Sequence, residues 1–95
     1  MTDEPEISEI EEITRVLSVL WAEVLKLPSI DIHTDFIALG GDSLNAMACI
    51  ARIRARYGID FSAAEFLLDD ATVVEFASVI HQLLVLQRAK GVAGD

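Results

Sequence analysis

This chain of 95 residues has only one cysteine, no long apolar run and no signal-peptide pattern in its first residues. Its single cysteine, Cys49, rules out an internal disulfide and is a weak indication of a reducing compartment. No apolar run reaches the roughly 18 residues that a membrane-spanning helix needs. The N-terminal stretch MTDEPEISEIEE is acidic and does not follow the basic-then-apolar order of a signal peptide. These absences favour a cytoplasmic protein.

Basic residues are scarce too. Seven lysines and arginines face sixteen acids, so the formal net charge is -9. Such a balance disfavours nucleic acid and anionic membranes as partners, and it favours basic patches on partner proteins. Six of the acids lie within residues 3–12 with no base among them. We interpret that run as a solvated, frayed tail and not as a binding epitope.

The helical period dominates the pattern of apolar residues. No segment sustains the alternation of a β-strand. Serine or threonine followed three residues later by glutamate, the spacing of a capping box, begins three of the segments. Pro28 and Gly58 are expected to end helices. The expected elements are helix one from Ser8 to Leu27, helix two from Ser43 to Tyr57, a short helix three beginning near Ser62, and helix four from Thr72 to Gln87.

These elements predict an all-α protein, a small four-helix bundle with three long helices and one short one. Helices one and two are joined by a long loop, residues 28–42, and loops of such length are often functional. We expect the folded domain to span residues 8–87, with a flexible acidic N-terminus at 1–7 and a flexible C-terminal tail at 88–95. A short helical turn is expected near residues 35–39. The loop's apolar residues should hold it against the helices; they are Ile30, Ile32, Phe36, Ile37 and Leu39.

Helix two carries apolar residues on two sides. A bundle this small cannot bury both sides well, so one should face the core and the other should be a docking patch; the rival interpretation places both in the core. The first side consists of Ala46, Cys49, Ile50, Ile53 and Tyr57, and the second of Leu44, Met47, Ala48, Ala51 and Ala55.

Ser43 follows two glycines and an aspartate in the stretch FIALGGDSLN, residues 36–45. Its hydroxyl could cap helix two, act as a nucleophile or hold a covalent group. A nucleophile needs an oriented base, and the chain has only His33 and His81; the strand and the GxSxG elbow of a hydrolase are also missing. We therefore disfavour hydrolysis. A capping role explains neither the long loop before Ser43 nor the second apolar face.

Metal and nucleotide sites fit the same region poorly. Residues 31–42 have the length of a calcium loop, but His33 and Phe36 occupy its third and sixth positions, where an oxygen ligand and a glycine are needed. One cysteine and two scattered histidines make no zinc site. The glycine pair before helix two could hold an anion on backbone N–H groups. No P-loop lysine follows, however, and Asp42 adds negative charge.

The stretch FIALGGDSL resembles the phosphopantetheine-attachment motif of thiolation (peptidyl carrier) domains from nonribosomal peptide synthesis. The similarity extends over residues 13–86. Residues 21–25 resemble the first-helix signature of that family, which lies within the wider acyl-carrier superfamily. Residues 51–54 and 57–59 resemble the end of its second helix, and 67–75 the approach to its last helix.

The resemblance implies that a phosphopantetheinyl transferase attaches 4′-phosphopantetheine from coenzyme A to Ser43, with Gly40, Gly41 and Asp42 completing the motif. The arm would carry an aminoacyl or other acyl thioester between an adenylating enzyme and condensing or tailoring enzymes. The carrier itself would catalyse nothing and would act as a monomer. Its partner surface would consist of Leu44, Met47, Ala48 and Ala51.

Three positions depart from the family's usual pattern. Asp42 replaces a common histidine, as in fatty-acid and polyketide carriers and in peptidyl carriers that precede epimerising domains, so an acyl carrier remains an alternative. Ala71 replaces a common proline, which would loosen the junction after helix three. Asn45 is polar where an aliphatic residue is frequent. A non-carrier helical interaction module is the alternative from another class. The initial methionine and the short polar ends favour a free-standing carrier.

Overall fold

Four helices form the part of the protein that the structure describes. The structure is a computed structural model that describes residues 8–68 and 70–93, with side chains up to residue 90. Within those ranges there is no strand, and no helix is long and apolar enough to cross a membrane. The all-α fold, with three long helices and one short one, is therefore confirmed. The helices are α1 (Glu9–Leu25), α2 (Ser43–Tyr57), α3 (Ala63–Phe66) and α4 (Val73–Ala93).

α1 begins as its sequence predicts and ends two residues early. The Glu11 N–H donates to the Ser8 hydroxyl (3.2 Å), and the Ser8 N–H donates to the Glu11 carboxylate (3.1 Å), which makes the expected capping box. The expected end at Leu27 is wrong because Lys26 adopts a left-handed conformation (φ 60°). The chain thus leaves the helix before Pro28 can break it.

α4 is longer than expected, because it continues to Ala93 and does not end at Gln87. Ala89 and Lys90 are good helix formers, and Arg88 pairs with Glu9 of α1. The hydrogen bond from Arg88 lowers the pKa of the Glu9 carboxyl, and His81 Nε2 lies 3.4 Å from the same carboxylate.

The domain limits at residues 8 and 87 stay a prediction, and the N-terminal residues 1–7 lie outside the described residues.

An aromatic cluster forms the centre of the core. Trp21 of α1 is fully buried, and its ring centroid lies 4.9 Å from that of Phe36 and 5.7 Å from that of Phe76. Phe66 of α3 stacks on Phe76 at 4.4 Å. Each such pair adds about 0.5–1.5 kcal/mol beyond the apolar area it buries. The Trp21 indole N–H is buried without a hydrogen-bond partner among the described residues.

The long loop is attached to this core through Phe36. The phenyl ring is fully buried, and the Phe36 N–H donates to the Ala71 carbonyl (2.9 Å). The expected helical turn is present, since the Leu39 N–H donates to the Asp35 carbonyl (3.1 Å). Ile30, Ile32 and Leu39 pack against the core as expected, whereas Ile37 is half exposed and was predicted wrongly.

The junction between α3 and α4 is held by hydrogen bonds at Ala71. This residue is buried, and its N–H donates to the Leu68 carbonyl (3.2 Å), a bond that proline could not make. Its own carbonyl receives the Phe36 N–H. Ala71 therefore connects the long loop to the junction, and the loosening expected there finds no support in these contacts.

Candidate functional site

Two glycines make the tight turn that leads into α2, each for a different reason. Gly40 has φ 99°, a conformation that residues with a Cβ rarely adopt. Gly41 has no such conformation, but a Cβ there would lie less than 3.0 Å from three carbons of the Phe36 ring. The Gly41 N–H also donates to the Phe36 carbonyl (2.9 Å). The turn is thus packed directly onto the anchor of the long loop.

The Gly41→Ala variant is expected to lose about 1–3 kcal/mol of unfolding free energy, because its methyl group overpacks the site that Phe36 fills. A second change, Phe36→Leu, should recover part of the loss by making room. Urea denaturation of the two single variants and the double variant measures this coupling. In the control Gly40→Ala, backbone strain costs a similar amount, and Phe36→Leu should then recover nothing. Strictly additive losses for Gly41→Ala and Phe36→Leu would contradict the packing explanation.

Asp42, and not Ser43, caps α2. The Asn45 N–H donates to the Asp42 carboxylate (2.9 Å), and the Asp42 N–H donates to the Asn45 side-chain oxygen (3.2 Å). These reciprocal bonds form a capping box, so the interpretation of Ser43 as a plain N-cap is wrong. They also give the polar Asn45 a structural role. Neither role was predicted, although Asp and Asn are preferred at helix starts.

Ser43 is left free by this arrangement. It is the first residue of α2, it is exposed, and its hydroxyl has no hydrogen-bond partner among the described residues. The first turn of α2 contains no acidic residue, but the carboxylate of the Asp42 cap lies at the same helix end and offsets part of the positive end of the helix dipole. The hydroxyl can be reached from solvent, beside backbone N–H groups that can bind an attached anion.

The two histidines, which a nucleophilic serine would need as a base, make their described contacts away from Ser43. His81 lies beside Glu9 on the α1–α4 side, and His33 is an exposed loop residue whose N–H donates to Asp31 (2.9 Å). No hydrogen bond links either histidine to Ser43 in the part of the chain that the structure describes. That part also contains no group of three or more potential metal ligands. The arrangement offers an accessible hydroxyl without an activating base of its own.

The two faces of α2 separate as predicted. Ala46, Cys49 and Ile53 are fully buried. On the other side Leu44 is 78% exposed and Met47 is 60% exposed, so the interpretation that buries both sides is wrong. This exposed side begins directly after Ser43, and we call it the α2 patch; it consists of Leu44, Met47, Ala48 and Ala51.

Comparison with known proteins assigns the family. The family model described as "Phosphopantetheine attachment site" matches residues 15–80, which include the turn, Ser43 and the α2 patch. The chain belongs to this phosphopantetheine-attachment family. As a carrier domain of this family it binds 4′-phosphopantetheine. The exposed, unpartnered hydroxyl at a helix N-terminus fits that group, because an attached phosphate would lie near the free backbone N–H groups of α2.

The relatives of this carrier domain belong to peptide-producing systems. It is 47% identical to surfactin synthase subunit 3 of Bacillus subtilis over 49 residues, which is 52% of this chain but 4% of that protein. It is therefore similar to one small part of a far longer enzyme. The structure of BlmI, a type-II acyl-carrier protein from Streptomyces verticillus involved in bleomycin biosynthesis, superposes with a TM-score of 0.71 at 31% identity. That match covers 79% of this chain and 89% of BlmI.

A second structure supports the fold alone. It is a peptidyl carrier protein in complex with coenzyme A and the phosphopantetheine transferase Sfp. The match has a TM-score of 0.69 and 23% identity, and it covers 82% of this chain and 95% of that one. Together with BlmI it confirms the acyl-carrier-like bundle that the sequence predicts.

Proposed function

We propose that Ser43 holds the 4′-phosphopantetheine arm and that this carrier presents aminoacyl or acyl thioesters to partner enzymes of nonribosomal peptide or related biosynthesis. The observation that carries the proposal is the free Ser43 hydroxyl at the N-terminus of α2, between the Asp42 cap and the α2 patch. Gly40 and Gly41 complete the motif by shaping the turn. The protein supplies position and surface, and no catalysis of its own.

The chemistry of loading suits this serine. Its oxygen forms a bond to the β-phosphorus of coenzyme A, the pyrophosphate P–O bond breaks, and adenosine 3′,5′-bisphosphate leaves. The serine proton passes to a base of the transferase, since no basic group is hydrogen-bonded to the Ser43 hydroxyl among the described residues and the Asp42 carboxylate is engaged as the helix cap. The positive end of α2 stabilises the resulting phosphodiester. Once bound, the arm supplies a terminal thiol that forms thioesters.

The α2 patch is the proposed binding surface for successive partner enzymes. These are the phosphopantetheinyl transferase, an adenylating enzyme, and condensing or tailoring enzymes. Leu44 and Met47 offer apolar contact beside the arm, and a methionine adapts to differently shaped surfaces. A small patch keeps each complex weak enough to dissociate, which a carrier that visits several enzymes requires.

Loading of the native protein tests this proposal. Incubation with coenzyme A and a broad-specificity phosphopantetheinyl transferase is expected to raise the intact mass by one phosphopantetheine group. Tandem mass spectrometry should locate the group on Ser43. An unchanged mass, or modification of another residue, would show the proposal to be wrong. Loaded protein offered to adenylating enzymes and to malonyl or acyl transferases then separates peptidyl from acyl cargo.

Cys49 permits a second measurement, because it should stay silent in thiol assays. Burial raises the pKa of its thiol to about 12, so the reactive thiolate is almost absent at mildly alkaline pH. We expect Ellman's reagent to detect no thiol in the folded apo protein and one thiol after loading. Denatured apo protein should show one thiol, from Cys49. A reactive thiol in the folded apo protein would contradict this assignment.

A further inference from the structure

Basic residues are unevenly distributed along the chain. No lysine or arginine occurs between Arg56 and Arg88. All seven basic residues therefore lie on α1 or directly after it, on α2, or near the end of α4, and the α3 region has none. The intervening stretch instead carries five acids: Asp60, Glu65, Asp69, Asp70 and Glu75.

An apolar groove lies within this acidic stretch. It is formed by α3, the junction between α3 and α4, and the first turns of α4. Its floor is built from buried Phe61 and Phe76. Leu68 is 55% exposed and Val79 is 39% exposed at its edge. The groove has a volume of about 150 Å³, and an apolar cavity of about that size holds a benzene-sized group. We call it the α3–α4 groove; it is lined by Phe61, Leu68, Ala71, Phe76 and Val79, with Glu65, Asp70 and Glu75 at the rim.

The three rim carboxylates are exposed, and none forms an ion pair among the described residues. Glu65 accepts hydrogen bonds from its own capping box, whereas no hydrogen bond to the Asp70 or Glu75 carboxylate is found in that part of the chain. By contrast, four acids elsewhere pair with bases: Glu9, Glu12, Glu23 and Asp60. The negative charge at the groove is therefore not neutralised by any of the described residues.

We propose that the α3–α4 groove docks a basic amphipathic segment of a partner protein. One aliphatic or aromatic side chain of the segment would enter the groove over Phe61 and Phe76, and flanking lysines or arginines would meet Asp70 and Glu75. Exposed carboxylates lose little hydration in such contacts and speed association, so binding should be fast, weak and salt-sensitive. A second copy docked symmetrically, groove to groove, is a poor occupant, because the same acids would face each other. The docking involves neither Ser43 nor the arm.

A peptide titration tests the proposal. The probes are helical peptides with leucines, or a single phenylalanine or tryptophan, on one face and flanking lysines, together with versions in which glutamate replaces every lysine. We expect the lysine peptides alone to shift nuclear magnetic resonance signals of the ¹⁵N-labelled protein, centred on Leu68, Glu75 and Val79. The Ser43→Ala protein should bind them equally well, which separates this result from the outcome of loading.

Matched variants distinguish binding at the α3–α4 groove from non-specific binding of a basic peptide to an acidic protein. Asp70→Asn with Glu75→Gln should weaken binding about fivefold. Glu12→Gln with Glu23→Gln makes the same change in net charge on the α1 side and should weaken it less than about twofold. Leu68→Ser with Val79→Ser should weaken it roughly tenfold.

Four outcomes would overturn the proposal. They are no binding of any lysine peptide, equal weakening by the two charge pairs, signal shifts centred on the α2 patch, and shifts that grow with protein concentration alone. The last of these would identify a second copy as the occupant. All variants concern exposed side chains, and circular dichroism verifies that each remains folded.

Discussion

Ser43→Ala is expected to abolish loading by the transferase while leaving the fold intact. The hydroxyl oxygen is the only heavy atom that the substitution removes, and no described residue is hydrogen-bonded to it, because Asp42 caps α2. The unfolding free energy should change by less than about 0.5 kcal/mol, as for most surface substitutions. Intact mass after incubation with coenzyme A and the transferase, together with a urea melt, measures both effects.

Ser62→Ala is the matched control, because Ser62 is also an exposed serine at the start of a helix. Unlike the Ser43 hydroxyl, the Ser62 hydroxyl has a partner: it donates to the Glu65 carboxylate (3.2 Å), as does the Ser62 N–H (2.9 Å). We expect Ser62→Ala to cost about 1 kcal/mol through the lost hydroxyl hydrogen bond and to load normally. A Ser43→Ala protein that still gained the arm would exclude Ser43 as the tether.

Phe36→Ala is expected to produce the largest loss of stability, about 3–5 kcal/mol. The ring is fully buried, 4.9 Å from Trp21 and 5.1 Å from Phe66, and it fixes the turn that precedes Ser43. A domain of this size has a total stability of about 5–15 kcal/mol, so the variant will be marginal. Its loading rate should also fall, because the turn before Ser43 loses the ring on which it packs. The rate is measured in a stabilising osmolyte, in which the variant is folded.

The control for Phe36→Ala is Phe61→Ala. Phe61 packs on Phe76 (5.1 Å) and belongs to the same aromatic cluster, but it makes no contact of this kind with the loop before Ser43. We expect a stability loss of similar order and an unchanged loading rate for the folded protein. Equal losses of rate in both variants would mean that general destabilisation, and not the position of the turn, limits loading.

The helices and their faces were predictable because their signals are local. Apolar residues at helical spacing showed that α2 has two apolar sides, and the capping-box pairs at Ser8 and Ser62 marked the starts of α1 and α3. The resemblance to carrier domains then pointed to Ser43 and to the α2 patch. Burial then confirmed the separation of the two faces.

The features that were not predicted depend on tertiary contacts or on which of two adjacent residues caps a helix. Asp42 and Ser43 are both favoured caps, so spacing alone could not decide which of them leaves its side chain free. The ring of Phe36 explains Gly41, and only the packed structure shows that contact. The expected end of α4 at Gln87 missed the pairing of Arg88 with Glu9, which is distant in the sequence, and the helix continues to Ala93. The acidic stretch was visible in the sequence, but the groove inside it was not.

Trp21 gives this carrier a built-in optical reporter. It is the only tryptophan, it is shielded from water, and its ring touches Phe36, the residue that seats the turn before Ser43. Its fluorescence should therefore be blue-shifted in the resting protein. A partner that pulls the loop away from the core would change the emission without any added dye, so the mechanical response to each enzyme can be followed in real time.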